Sequence, residues 1–354
     1  MPDKDFNSMS PWGQLARCVV NPDHSVAYFL DPNNSNLKDN GSYAVWEEVE
    51  EAGQNVMVQI PKFYYVKKRV EDAYFFGVAD KPIADDYIDT VDWKIHPAFY
   101  RDRTKLCDDQ SANPIEVDYR YYGAFHGWVD NKGRLRSLPN KQPSTDITIG
   151  NARNAAKQMG VGWSQLDYYL LYATQMLYIT EYGHPDVQTQ IGRGFVDGNS
   201  AKINTGGTLD KGNNTFGETT GKKQMSYRSI EDWYGNVFNW VDGLFCDSNR
   251  NILIGNKGFN NTGQGYENVG NGGGSNVSGN IRHIQPYDKA GFIIKFSGGS
   301  YDADGLHDYG YLKAGCLPYF GGYWFNGSYA GAFQLNVFYS ASSSYSYLGS
   351  RLVL

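Results

Sequence analysis

Apolar and polar residues alternate over short distances through much of the chain, which predicts many short strands. The stretch NVMVQIPKFYYVKK alternates from residue 55 onward and predicts a strand that breaks at Pro61. Two aromatic-rich stretches flank Asp130-Asn131-Lys132-Gly133, whose Asn and Gly suit a tight turn, so a hairpin is predicted there. Further short strands are predicted in NVFNWVDG, NILIG, AGFIIKF and YLGSRLVL.

The periodicity changes to that of helices between residues 148 and 183. In TIGNARNAAKQMG, apolar residues recur on one face, and Gly160 is predicted to cap the C-terminus. In SQLDYYLLYATQMLYITEYG, Ser164 and Asp167 resemble a capping box, and apolar residues recur at i, i+3 and i+4. Each helix is expected to bury one apolar stripe: Ile149, Ala152, Ala156 and Met159 in the first, and Leu166, Tyr169, Leu170, Ala173, Met176 and Leu177 in the second.

Glycine- and asparagine-rich loops are predicted for much of the chain between residues 183 and 300, including NNTGQGYENVGNGGGSNVSGN. Residues 1–45 combine short apolar patches with turn signals such as Asp-Pro and Asn-Gly. No strong interdomain linker follows. We therefore predict an N-terminal segment of short strands, 1–45, and one domain, 46–354. The predicted fold class is α+β, with two helices, short strands and long irregular loops.

Charge and hydropathy exclude several classes of protein. With 32 Lys and Arg against 38 Asp and Glu, the formal net charge is −6, whereas proteins that bind nucleic acid are normally basic. No apolar run approaches the length of a membrane span. The N-terminal MPDKDFNSMSPWGQ lacks the basic and apolar regions of a signal peptide. We expect no nucleic-acid partner, no membrane insertion and no secretion signal.

The sequence shows no pattern that predicts catalysis or a metal site. The four cysteines, Cys18, Cys107, Cys246 and Cys316, are far apart and match no zinc spacing, and the six histidines are scattered. DPNNSNLKDNG lacks the ligand spacing of an EF-hand, and no phosphate-binding G-x-x-x-x-G-K-[ST] occurs. No cofactor is predicted. A structural Ca²⁺ ion and a glycosidase-like pair of carboxylates stay open.

The C-terminal stretch, residues 316–354, differs in composition from the rest of the chain. Between Cys316 and Arg351 there is no charged residue, and Tyr, Phe, Ser, Asn and Gly dominate. An ordinary core alternates large and small apolar residues, whereas Tyr mixed with Ser and Asn is typical of antibody-like binding surfaces. The composition therefore predicts a ligand-binding surface. The alternative is a sheet with ordinary core aromatics.

Three short motifs follow the second helix in order: Gly235-Asn236-Val237-Phe238-Asn239-Trp240, Gly298-Gly299-Ser300-Tyr301 and Gly349-Ser350-Arg351-Leu352-Val353. Over residues 45–354 this order resembles C-type lectin-like domains of the formylglycine-generating-enzyme type. The resemblance implies that fold, and it implies that the motifs build the fold rather than carry chemistry. Enzymes of this family hold copper with a nearby pair of C-terminal cysteines. This chain has only Cys316 in that region, so a copper oxidase is the weaker alternative.

The terminal stretch also resembles the variable region of proteins that diversity-generating retroelements mutate and that share the lectin-like domain. In those proteins the last strands and loops change at adenine-rich codons, and the changed residues form the ligand surface. On this resemblance residues 316–348 are the variable region, with AGAF, SAS and Trp324 as fixed scaffold. The predicted ligand-binding residues are Tyr319, Phe320, Tyr323, Phe325, Asn326, Tyr329, Phe338, Tyr339, Ser343, Tyr345 and Tyr347.

The N-terminal part, including WGQLARCVVNPDHSVAYFLDPNNS, resembles tail-tip or tail-fibre adhesins of bacteriophages and prophages. The resemblance implies a non-catalytic receptor-binding protein of the virion tail, made in the bacterial cytoplasm. Its implied partners are a host cell-surface protein or glycan and other phage tail proteins. It also implies that residues 1–45 are an attachment or oligomerisation segment, and that the protein is a homo-oligomer, with a trimer expected. The remaining alternative is a structural tail protein whose aromatic stretch is core or trimer interface.

Overall fold

The computed structural model describes residues 5–70, 73–273, 275–281, 283–296 and 308–354. Within them the chain is mixed α+β, mostly strands with few helices, which confirms the predicted class. The α-helices are α1 (Trp46–Glu51), α2 (Ile149–Lys157), α3 (Tyr168–Tyr182) and α4 (Val187–Gln190). The prediction of two helices covers α2 and α3 and misses the short α1 and α4. The strands are β1 (Ala16–Val20), β2 (Val26–Phe29), β3 (Asn55–Pro61), β4 (Tyr64–Val70), β5 (Ala73–Ala79), β6 (Lys94–Ile95), β7 (Tyr119–Gly123), β8 (Trp128–Val129), β9 (Leu135–Arg136), β10 (Ser164–Gln165), β11 (Ser226–Tyr227), β12 (Ile230–Glu231), β13 (Phe238–Trp240), β14 (Leu244–Cys246), β15 (Asn251–Ile254), β16 (Glu267–Asn271), β17 (Val277–Asn280), β18 (His283–Ile284), β19 (Ile294–Phe296), β20 (Tyr309–Leu312), β21 (Leu317–Phe320), β22 (Leu335–Tyr339), β23 (Leu348–Gly349) and β24 (Leu352–Val353).

The first of two six-stranded sheets has the strand order β10-β24-β7-β3-β1-β2. Its strand β3 ends at Pro61, where the sequence predicts the break. Val58 of β3 lies opposite Arg17 of β1 and Tyr122 of β7. Residues 1–45 therefore supply two strands to the same sheet as the rest of the chain, and Trp12 is buried in the shared core. The attachment role of this segment stays a prediction.

The second six-stranded sheet, of order β17-β20-β22-β21-β13-β23, is joined to the first by the end of the chain. Leu348–Gly349 pairs with β13 in the second sheet, and Leu352–Val353 pairs with β10 and β7 in the first. Between them the buried Arg351 donates hydrogen bonds to the carbonyls of Gly123 and Asp232, at 3.0 and 2.8 Å. The terminal GSRLVL thus fixes the two sheets relative to each other.

Helix α3 runs through the core rather than along its surface. All residues from Tyr168 to Ile179 are buried, so the prediction of a single buried stripe is wrong. Its apolar residues pack in the main core together with residues of the sheets and loops. The N-cap is Asp167, whose side chain accepts the Leu170 N–H at 3.0 Å, while Ser164 lies in β10. Asp167, not Ser164, therefore begins the helix. No helix of the described chain is both long and apolar enough to cross a membrane.

Helix α2 forms where the periodicity predicts it. Thr148 is its N-cap and accepts the Asn151 N–H at 3.3 Å. The helix ends with Gln158 as the C-cap in the right-handed region, so the predicted cap, Gly160, is two residues too late. Gly160 instead turns the chain with a φ of +111°, which favours glycine.

The loops are partly as predicted. The hairpin is confirmed, because β8 pairs with β9 and the Asp130 carboxylate accepts the N–H groups of Lys132 and Arg134. Residues 260–280, predicted as a glycine-rich loop, contain β16 and β17 instead. These strands pair with β15 and β20, and this tertiary pairing overrides the weak strand propensity of Gly and Asn.

Candidate ligand-binding cleft

Strand geometry sorts the aromatic residues of the C-terminal stretch onto two faces of the second sheet. Successive side chains of a strand point to opposite faces, so Tyr319 and Phe320 of β21 face apart. Phe320 packs in the main core and is 0% exposed. Tyr319 packs with Phe238 and Trp240 in a separate aromatic cluster. The face that carries Tyr319 is therefore the candidate surface, and Phe320 is not part of it.

On this face lies an open cleft with a volume of about 340 Å³. Asn336 of β22 is in register with Tyr311 of β20 and with Tyr319 of β21. Because residues opposite each other on paired strands point to the same face, these three side chains share the cleft. We name it the aromatic cleft; its lining residues are Phe238, Tyr309, Tyr311, Tyr319, Tyr323, Asn326, Tyr329, Gln334, Asn336, Phe338, Tyr339 and Tyr347.

The tyrosine rings of the aromatic cleft pack against one another. Tyr319 stacks on Tyr339 with centroids 4.4 Å apart, and Tyr347 lies 4.8 Å from Tyr323 and stacks on Tyr345 at 5.2 Å. The hydroxyl groups of Tyr339 and Tyr347 are hydrogen-bonded at 2.9 Å. Rings held in this way lose little rotational freedom when a ligand binds, so the surface is preorganised.

Burial keeps the tyrosine hydroxyls of the cleft protonated. Removal from water, aided by a hydrogen bond with Tyr309, raises the pKa of Tyr311 to about 12. Burial also raises the pKa of Tyr319, Tyr323 and Tyr347, and neighbouring tyrosines add to the effect. A protonated phenol both donates and accepts hydrogen bonds. At neutral pH these groups therefore offer polar contacts without charge.

Three amide side chains add polar groups to the aromatic cleft. Gln334 and Asn336 are each 2% exposed, and Asn326 is half-buried. Among the described residues, the amide oxygen of each has no hydrogen-bond partner. Buried polar groups are nearly always hydrogen-bonded in folded proteins because an unmade bond is costly. Three such acceptors in one cleft therefore point to a ligand that donates hydrogen bonds.

The loop between β21 and β22, which carries part of the cleft, is tied to the body of the protein. The Gln188 amide donates to the carbonyls of Gly327 and Ala330 at 3.0 and 2.7 Å. The Asn199 amide donates to the Trp324 carbonyl at 3.2 Å. These bonds hold the loop backbone, so its side chains can vary without loss of the loop conformation.

Seven of the eleven predicted binding residues line the aromatic cleft: Tyr319, Tyr323, Asn326, Tyr329, Phe338, Tyr339 and Tyr347. The other four do not. Phe320 is buried on the opposite face, and Phe325, 63% exposed, lies outside the lining. Tyr345, 39% exposed, packs on the outer side of Tyr347, and Ser343 contacts its own turn through Ser340.

Five lining residues were not predicted: Phe238, Tyr309, Tyr311, Gln334 and Asn336. Three of them lie before the C-terminal stretch and reach the cleft only because β13 and β20 flank β21 and β22. A local signal existed for Asn336, which is two residues from Phe338 on β22 and therefore shares its face.

Asn236 and Trp240 of the Gly235–Trp240 motif make structural hydrogen bonds, whereas Phe238 of the same motif lines the aromatic cleft. Asn236 adopts a φ of +64°, and its side-chain amide exchanges hydrogen bonds with the backbone of Ile203. The Trp240 indole donates to the Ile147 carbonyl at 2.9 Å. These residues fix loops beneath the aromatic cleft. The Gly298-Gly299-Ser300-Tyr301 motif lies outside the described residues.

Two of the cysteines, distant in sequence, are neighbours in the fold. Cys246 of β14 and Cys316 face each other, and the N–H of each donates to the carbonyl of the other at 3.2 Å. Both thiols are buried, which raises the pKa of Cys246 to about 12 and also raises that of Cys316. A buried, protonated thiol is unreactive. Neither lines the aromatic cleft, so the pair does not fit a copper centre open to a substrate thiol.

Known proteins resemble this chain only distantly. No family model matches it, and no curated protein matches it. Among solved structures, the Major Tropism Determinant U1 variant is similar with 10% identity and a TM-score of 0.34, over 83% of this chain and 72% of that one. The Major Tropism Determinant P3c variant is similar with 12% identity and a TM-score of 0.32, over 83% of this chain and 71% of that one. PvdO from Pseudomonas aeruginosa is similar with 12% identity and a TM-score of 0.28, over 85% of this chain and 94% of that one. Likenesses this weak do not establish a shared family.

Across the described ranges, no group of three or more His, Cys, Asp or Glu side chains could hold a metal ion.

Proposed function

We propose that this chain is a non-catalytic receptor-binding protein whose aromatic cleft binds a molecule on a host-cell surface. The observation that carries the proposal is the cleft itself, which combines packed neutral tyrosines with amide oxygens that have no hydrogen-bond partner in the described part of the chain. Tyr offers a large, rigid contact area at low entropic cost, which is why binding surfaces use it. The hydrogen bonds beneath the loop keep this surface in place before a ligand arrives.

We further propose a C-type lectin-like domain in a phage or prophage tail adhesin, with residues 316–348 diversified by a retroelement. Support comes from the resemblance of the sequence motifs. It also comes from the clustering of seven predicted variable residues on one face, as a diversified ligand surface requires. The expected trimer would present several clefts at once, and such multivalency strengthens weak single contacts.

Replacing Tyr323 and Tyr329 together with serine is expected to weaken binding to host cells by at least roughly 30-fold. Both rings line the cleft, and loss of an aromatic anchor typically costs about 2 kcal/mol or more in binding free energy. Titration of the labelled protein onto a panel of bacterial strains measures the effect.

The matched control for this variant replaces the exposed Tyr43 and Tyr87, which lie outside the aromatic cleft, with serine. It should bind as the unchanged protein does. If the cleft variant also binds normally while folded, the cleft is not the binding site. If the cleft variant unfolds in a thermal scan, its tyrosines are core packing, and the structural tail protein is favoured instead.

Diversification predicts a signature in the genome around the gene. A near-copy of the 3′ coding region should lie beside a reverse-transcriptase gene, with differences confined to adenine positions of codons for the variable residues. Sequencing of the locus in related strains checks this. Absence of such a copy would contradict diversification and leave the binding proposal standing.

A further inference from the structure

We infer that the aromatic cleft takes an uncharged saccharide. The inference rests on the proposed binding function and adds the chemical class of the ligand. It rests on three observations within the described ranges: three amide oxygens without partners, lining side chains without charge, and the tyrosine rings beside them.

The amides specify a ligand rich in hydroxyl groups. The oxygens of Asn326, Gln334 and Asn336 lack partners among the described residues, and each side chain also carries an NH₂ group. A saccharide hydroxyl donates one hydrogen bond and accepts others. Neighbouring hydroxyls on one sugar ring can therefore pair with both the acceptor oxygen and the donor NH₂ group of an amide. A peptide residue brings one backbone N–H, and it brings further donors only where its side chain is polar. The cleft volume of about 340 Å³ therefore favours sugar rings over a peptide segment as the source of three donors.

The lining excludes charged ligands. None of the twelve described side chains that line the aromatic cleft is ionised at neutral pH, since they are Tyr, Phe, Asn and Gln. The exposed ammonium group of Lys313 lies 4.8 Å from the centroid of the Phe338 ring, but Lys313 is not itself a lining residue. A phosphate, carboxylate or ammonium group within the cleft would lose water without gaining an opposite charge from the lining, which is strongly unfavourable. Acidic saccharides and phosphorylated polymers are therefore not expected to bind.

The tyrosines supply the apolar half of the recognition. A pyranose ring carries C–H groups on its faces and hydroxyls at its edge. Tyr329 is half exposed at the cleft, so its ring can receive such a face. Asn336, in register with Tyr311 and Tyr319, places its amide among aromatic rings, where it can meet the polar edge of the sugar.

The test compares Gln334→Met and Asn336→Leu with the unchanged protein on a printed array of neutral and acidic glycans. Both substitutions preserve approximate shape and remove an unpartnered acceptor, so the folded protein should keep or gain thermal stability. We expect binding to neutral glycans in the unchanged protein and a roughly tenfold or greater loss of affinity in each variant. The control, Gln264→Met at an exposed position outside the cleft, should bind normally.

Treatment of the host cells separates this inference from the proposed function. If periodate oxidation of cell glycans abolishes binding and protease treatment does not, the ligand is a saccharide. If protease treatment abolishes binding and periodate does not, or if only acidic glycans bind, the saccharide inference is overturned while the binding function stands. If the unchanged protein binds neither the array nor any cells, both proposals fail.

Discussion

Replacing Asp167 with alanine is expected to lower the free energy of unfolding by about 4 kcal/mol, because it leaves a buried arginine without its counter-ion. Asp167 accepts a hydrogen bond from Arg120 at 2.7 Å, and Arg101 lies 3.6 Å away. All three side chains are almost fully buried. Burial alone would raise the pKa of the Asp167 carboxyl, but the two guanidinium groups outweigh it and hold that pKa below its usual range. The variant also loses the N-cap of α3.

A second N-cap in the same chain separates the contribution of the cap from that of the ion pair. Asp186 caps α4 by accepting the Thr189 N–H at 3.1 Å. Asp186→Ala removes this cap bond and a bond from the exposed Thr189 hydroxyl at 2.6 Å, but it removes no counter-ion of a buried charge among the described residues. It should therefore cost only about 1 kcal/mol. Urea unfolding of both variants measures the difference. Equal costs would show that the buried charges around Asp167 contribute little to stability.

The elements that could be predicted from the sequence are those whose signal is local. Helices α2 and α3 follow from apolar spacing within one segment, and the β8–β9 hairpin follows from its turn residues. Strands β16 and β17 were missed because Gly and Asn do not favour strands, and pairing with distant strands stabilises them. The Cys246–Cys316 neighbours were missed for the same reason, since their proximity exists only once β14 and the start of β21 meet.

The candidate site shows the same limit at the level of single residues. Composition located the segment but could not distinguish Tyr319 from Phe320, adjacent residues that face opposite sides of β21. Strand periodicity separates them, yet which face is the core depends on what packs beneath the sheet. No local feature of the sequence could have identified Tyr309 and Tyr311 as lining residues, because β20 reaches the cleft only by pairing with β22.

A pronounced loss of stability in mild acid is expected from His96, which caps the turn Pro97–Phe99. Its Nδ1 accepts the Ala98 N–H at 3.2 Å, and its ring packs edge-on against Tyr65 and Tyr172. Burial lowers the pKa of His96 to about 3; the nearby Asp167 carboxylate opposes this shift, and Arg120 adds to it. Above pH 6.5 the ring is neutral in both folded and unfolded chains. As the pH falls from 6.5 towards 3, the unfolded chain binds a proton there that the folded chain does not. Stability should therefore fall by about 1.4 kcal/mol per pH unit on account of this residue.

The variant His96→Asn retains an acceptor for the Ala98 N–H and removes the titrating ring. It should be less stable than the unchanged protein at pH 7, because it leaves a cavity among aromatic side chains. That difference should shrink by about 2 kcal/mol between pH 6.5 and 4.5, since only the unchanged protein loses stability through His96. Urea unfolding at half-unit pH intervals measures it.

His184 is the matched control. Like His96, it accepts with its Nδ1 the N–H of the residue two positions later, Asp186, at 3.1 Å, but its side chain is exposed. His184→Asn should lose little stability at pH 7, because it leaves no cavity in the core. The prediction is wrong if the free energies of unfolding of His96→Asn and the unchanged protein change in parallel with pH. His96 would then bind a proton as readily in the folded chain as in the unfolded chain.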